Sequence, residues 1–155
     1  MKTMFVESAN HYLAKGPNDD LRWTGVLDKK LFRLLTSFGS GVCICSKHTY
    51  NLLPQNMLAD PARRYIVAEK TGKNSLVALN QVHPGAFLIC GPKLLQIAYN
   101  LSILDTIVVT TTKFDIDGDE KYKNPLVQNL KNPTTKIDFG DIILSIYEMQ
   151  HGPQK

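Results

Sequence analysis

The chain has 155 residues, of which 43% are hydrophobic and 21% charged. That is one domain's worth of core-forming sequence, and it argues against extended disorder. The net charge of +4 is spread over scattered lysines and arginines with no basic tract, and no apolar run approaches the roughly 18 residues that span a bilayer, so neither a nucleic-acid arm nor a membrane helix is expected.

The N-terminus leads into a β-like run and not a signal h-region, so the expected location is cytoplasmic. Residues 1–150 read as one domain and 151–155 as a flexible tail. Cys43, Cys45 and Cys90 are an odd count. Cys43 and Cys45 alternate with Ile44 in an apolar stretch and read as small core residues of a reducing compartment. No second ligand pair at metal spacing accompanies them, and no metal is expected.

In chain order, Phe5 to Ala9 reads as a first strand and Gly16 to Asp20 as a loop. Leu27, Leu31, Leu34 and Leu35 have helical spacing and predict a helix over Leu27 to Leu35. Val42 to Cys45 is a compact apolar strand. Ser46 to Leu53 reads as a short helix stopped by Pro54. Arg64 to Ala68 is a strand, and Asn74 is placed to cap a helix from Ser75 to Gln81. The apolar run Ala86 to Cys90 suits a central strand buried on both faces. Gly91 and Pro92 open a helix. Thr106 to Thr112 is a β-branched strand, Asp115 to Glu120 an acidic turn, Lys123 to Pro133 a polar loop, and Ile142 to Tyr147 the closing strand. Strands alternating with helices predict a mainly parallel sheet with helices on its faces, whose ligands bind beyond the carboxyl ends of the strands.

Candidate chemistry lies at those ends. Asp28 and Phe32 are four residues apart and share a helix face near Trp23. A carboxylate beside an aromatic suits a cleft acid that binds a cationic or amidine-like group; a helix-start acid favoured by the dipole is the plainer reading. Ser46, Lys47, His48 and Thr49 put hydroxyl and basic groups at a helix start, as an anion site or as a solvated first turn. Ile89 to Lys93 form a strand-to-helix turn with one glycine. His11 and His83 have no evident partner, and no nucleophile–base pair is legible.

Taken in this order, from about Phe5 to Tyr147, the clusters resemble dihydrofolate reductase. Leu21-Arg22-Trp23 is similar to the family's Leu-Pro-Trp, and Asp28 falls where the family keeps its single acid. Pro61-Ala62-Arg63 resembles its Pro-Gly-Arg, and Thr110 followed by Asp117-Gly118-Asp119 resembles its Thr with a later Glu-Gly-Asp. The resemblance implies a single-domain α/β fold with a mainly parallel central sheet, flanking helices and an antiparallel C-terminal edge.

It also implies NADPH-dependent reduction of 7,8-dihydrofolate by a monomer. Asp28 would anchor the pterin and aid protonation at N5. Val6, Phe32 and Leu53 would wall the slot, Arg63 would take the glutamate carboxylate, and Thr110 would support Asp28. Leu13, Ala14, Lys47, His48, Thr49, Glu69, Lys70, Cys90, Gly91, Pro92, Lys93, Leu94 and Leu95 would hold the cofactor. Several positions depart from the family. Cys90-Gly91 stands for a Gly-Gly joined by a cis peptide, Leu95 for a tyrosine, Ser46-Lys47 for Gly-Arg, Ala14 for a glycine, Arg22 for a proline and Lys29 for an apolar pocket residue. These departures support a second reading, a catalytically impaired binding or structural protein on the same fold. A third, the pyrimidine reductase of riboflavin synthesis, is less favoured by Asp28 and Arg63.

Overall fold

The computed structural model describes residues 1–149, so the tail expected at 151–155 lies outside the described residues. The strands are β1 (Lys2–Glu7), β2 (Val42–Cys45), β3 (Arg64–Val67), β4 (Phe87–Ile89), β5 (Thr106–Thr112), β6 (Thr135–Asp138) and β7 (Ile142–Glu148). The helices are α1 (Gly25–Ser37), α2 (Lys47–Leu52), α3 (Gln55–Leu58), α4 (Leu76–Val82) and α5 (Pro92–Asn100). Among the described residues the strands form one mixed sheet in the order β3-β2-β4-β1-β5-β7-β6. The first five strands of that order pair in parallel, and β7 with β5 and β6 with β7 are antiparallel. The single-domain α/β architecture with flanking helices agrees with the sequence pattern.

The apolar periodicity explains the layers. On one face, α1 lays Leu31, Phe32 and Leu35 against Met4, Phe87, Val108 and Leu144. On the other face, Phe5, Ile44, Leu88, Ile107 and Val109 pack with Leu76 and Leu79 of α4 and Leu95 and Ala98 of α5. Strand alternation sends Val108 and Val109 to opposite layers. Cys43 and Cys45 are fully buried, and burial pushes both thiols up to about 11. No helix of the described residues is long and apolar enough to cross a membrane.

Several element boundaries differ from the sequence reading. The first strand begins at Lys2 and ends at Glu7, because its pairing with β5 runs from Lys2–Thr106 to Glu7–Thr111. Thr3 is polar yet buried, its hydroxyl donating to the Leu88 carbonyl at 2.7 Å. The Leu27 to Leu35 helix extends over Gly25–Ser37. Ser46 is the N-cap of α2 and not part of it. Ser75, not Asn74, caps α4, its Oγ accepting from the Ala78 N–H. After Pro54 a further turn, α3, follows, and the exposed, polar β6 exists through its pairing with β7.

Candidate functional site: a cleft between two parting strands

The sheet opens at its centre. The chain leaves β1 toward β2 on one side and leaves β4 toward β5 on the other, so neighbouring β4 and β1 form a topological switch point. Their pairing stops at Thr3–Leu88, while β1 continues to Glu7. The gap becomes a cleft of about 690 Å³, bounded by Met4 and Val6 on β1 and by Ile89, Cys90 and Gly91 beyond β4. That volume falls in the usual range for small-molecule sites.

Along one wall runs α1, with Asp28, Phe32 and Thr36 stacked four residues apart. Eight residues of helix span about 12 Å, which sets the distance between the two polar ends of the cleft. At the first end, Asp28 is 7% exposed and accepts one hydrogen bond from Thr110 Oγ1 on β5, at 2.6 Å. Burial raises its carboxyl above the ordinary aspartate value, against the Thr110 hydrogen bond, the nearby Thr24 hydroxyl and the Lys29 charge. Thr24 Oγ1 itself donates to the Leu21 carbonyl at 2.9 Å, so Thr110 is the donor that holds Asp28.

At the second end, Arg63 is 8% exposed. Its Nη1 lies 3.4 Å from Thr36 Oγ1 and its Nη2 lies 3.3 Å from Asp60 Oδ2. Its buried Nε has no hydrogen-bond partner among the described residues. Between the two ends, Phe32, Leu53, Leu52 and Met57 make the walls apolar.

The loop after β1 closes the cleft from above. Asp19 organises it, accepting from the backbone N–H groups of Lys15 and Leu21 and from Trp23 Nε1. Partial burial would raise the Asp19 carboxyl, but these hydrogen bonds outweigh it and hold the group low. Lys29 ties the loop to α1, its Nζ donating to the Leu21 carbonyl at 2.8 Å and to Thr24 Oγ1 at 3.0 Å. His48 Nε2 donates to the Pro17 carbonyl at 2.9 Å, joining α2 to the same loop.

The sequence-predicted residues divide. Asp28, Val6, Phe32, Leu53 and Arg63 line the cleft, as do Leu13, Ala14, His48, Thr49, Cys90, Gly91 and Pro92. Thr110 stands behind Asp28. Lys47 is exposed and sits over the Tyr50 ring, and Glu69, Lys70 and Lys93 are exposed outside the cleft lining. Leu94 packs against the core and Leu95 is fully buried in it, so Leu95 does not reach the cleft. Trp23 also lies outside the lining, packing edge-on against Phe114. All peptide bonds among the described residues, Cys90–Gly91 included, are trans.

Three further polar contacts were missed, two at the cleft and one on the opposite face of the sheet. Asp60 and Lys29 act through partners supplied by the fold, and His11 has a partner after all: its Nδ1 lies 3.1 Å from Glu7 Oε1. The His11–Glu7 spacing of four residues and the Asp60–Arg63 spacing of three were the available local signals. No three His, Cys, Asp or Glu side chains come together as a metal-holding group among the described residues. No protein-family model matches the chain, and no curated protein matches it.

Proposed function

We propose that this protein is a reductase of the dihydrofolate reductase type, using NADPH to reduce 7,8-dihydrofolate. The observation that carries the reading is the cleft's polarity: a buried, under-bonded carboxylate at Asp28 and a buried, under-bonded guanidinium beside Thr36, about two turns further along α1, with an apolar slot between them. A fitting ligand has a flat, hydrogen-bond-donating head, an aromatic middle and an acidic tail. 7,8-Dihydrofolate has that layout.

In this reading Asp28 accepts hydrogen bonds from the pterin's amino group and N3–H. Thr110 fixes the carboxyl's orientation, and the negative charge beside the ring favours protonation at N5. Val6, Phe32 and Leu53 hold the rings flat and exclude water. Arg63 holds the tail carboxylate.

The residues present suit a dinucleotide cofactor on one observation. The start of the nine-residue α5 opens on the cleft at Gly91 and Pro92, and no side chain caps it. Backbone N–H groups at such a helix start suit a diphosphate. Leu13, Ala14, His48, Thr49 and Cys90 would complete the binding surface. When bound, the nicotinamide supplies the hydride.

A second reading, a binding protein without turnover, is supported by Cys90, a residue of the cleft lining where the family has a glycine. Absorbance decay of NADPH with 7,8-dihydrofolate, run beside Asp28→Asn, separates the two. Turnover that collapses in the variant supports the reductase. Ligand binding without turnover in the parent protein supports the second reading, and neither binding nor turnover overturns both.

A further inference from the structure

The guanidinium of Arg63 is shared with a neighbouring acid. The Asp60 side chain, 7% exposed, accepts from Arg33 Nε at 2.9 Å and from Arg63 Nη2 at 3.3 Å through the same Oδ2. Its Oδ1 accepts from the Ala62 N–H at 3.0 Å and faces Arg33 Nη2 at 3.4 Å. Asp60 is therefore held between the two arginines by its own turn. The Ala62 N–H, followed by the two arginines, keeps its carboxyl below the usual range, against some burial.

Two consequences follow for a ligand in the cleft, which both Arg33 and Arg63 line. The cluster carries two positive charges and one negative, so an incoming carboxylate meets a net charge of +1. In addition, Nη2 belongs to both two-nitrogen edges of a guanidinium, so a carboxylate that grips two nitrogens shares that corner with Asp60. Arg63 Nε is buried and has no partner among the described residues, so Nη2 is the corner at which Asp60 and a tail carboxylate would meet.

We propose that Asp60 is a specificity-determining residue of this anion subsite: it competes with the ligand's acidic tail for Arg63 and Arg33, and so limits how much a tail carboxylate adds to binding. The proposal rests on the folate reading above. It concerns selectivity between ligands that have the tail and ligands that lack it.

The test compares the dissociation constants of 7,8-dihydrofolate and the tailless 6-methyl-7,8-dihydropterin, with thermal melts to confirm folding. The protein is taken as the parent chain, as Asp60→Asn and as Arg33→Met. Asn keeps the bond from Ala62 N–H and removes the charge. In Asp60→Asn the tail's contribution, the ratio of the two constants, grows about tenfold, the scale of coupling for a close charge pair. In Arg33→Met it shrinks by about fivefold, because Asp60 then pairs with Arg63 alone. Binding of the tailless ligand stays unchanged in both. An unchanged or smaller tail contribution in Asp60→Asn overturns the proposal, for Asp60 would then only orient Arg63. If that variant does not fold, an unchanged or larger contribution in Arg33→Met overturns it instead. Failure of the parent chain to bind either ligand overturns the folate reading and this proposal together.

Discussion

Two buried carboxyl groups sit at the carboxyl ends of the central strands, on opposite faces of the sheet. Glu7 and Asp28 are each 7% exposed, and adjacent residues of β5 serve them: Thr110 donates to Asp28 and Thr111 to Glu7. The difference is in the rest of their shells. Glu7 also bonds to His11 Nδ1 at 3.1 Å and Asn124 Nδ2 at 2.8 Å, beside a small cavity of about 80 Å³. Asp28 has the Thr110 hydrogen bond and faces a cleft many times larger. Glu7 has its partners in the protein and holds two loops together. Asp28 has acceptor capacity left over, and in a buried carboxyl that capacity favours a ligand carrying donors.

The largest effect expected from breaking this contrast is on turnover. If the proposed reductase reading holds, Asp28→Asn lowers dihydrofolate reduction by about 10²-fold or more, the scale of a lost acid–base group, read from NADPH oxidation. The same variant keeps or improves stability. A raised carboxyl pKa means the folded state holds its proton more tightly than the unfolded one. Stability therefore declines as pH rises from about the ordinary value of 3.8 through the raised pKa. Denaturant unfolding across that window shows the decline in the parent chain and loses that component in Asp28→Asn.

Glu7→Gln gives the opposite pattern. It replaces an acceptor of three hydrogen bonds by an amide that presents two N–H groups to donors, and costs about 2 kcal/mol of stability, measured by urea unfolding. Turnover of the folded fraction stays within about threefold, for Glu7 lies across the sheet from the cleft. The two threonines sharpen the contrast at smaller scale. Thr111→Val costs about 1 kcal/mol with little effect on the pH profile of turnover. Thr110→Val removes the bond that opposes the burial of Asp28, so the acidic limb of that profile moves to higher pH.

Local pattern was enough for most of the elements and for the Asp28–Phe32 pair, because helix spacing, apolar runs and β-branching act within a few residues. Thr110 and Arg63 were reached through resemblance. Glu7 fell within the expected first strand without being singled out, since two of its three partners, Thr111 and Asn124, lie more than a hundred residues away. Asp60 was passed over because its role depends on Arg33, brought beside it from α1. Lys29 read only as a charge in the place of an apolar residue, and its bond to the Leu21 carbonyl depends on that residue's left-handed backbone, φ 60°. Leu95 is the converse case. Its place in the motif put it beside the cofactor, and the turn of α5 directs it into the core.

The alternation of Thr110 and Thr111 ties two distant features to one reading frame. A residue inserted or deleted within β5 would move every later side chain of that strand to the other layer. An insertion ahead of Thr110 would bring Val109 to Asp28, which would lose its hydroxyl donor, and Thr110 to Glu7, which would keep one; a deletion there would offer Thr111 and Thr112 in their places. The three consecutive threonines thus buffer Glu7 against a change of length in either direction, and Asp28 against a deletion only.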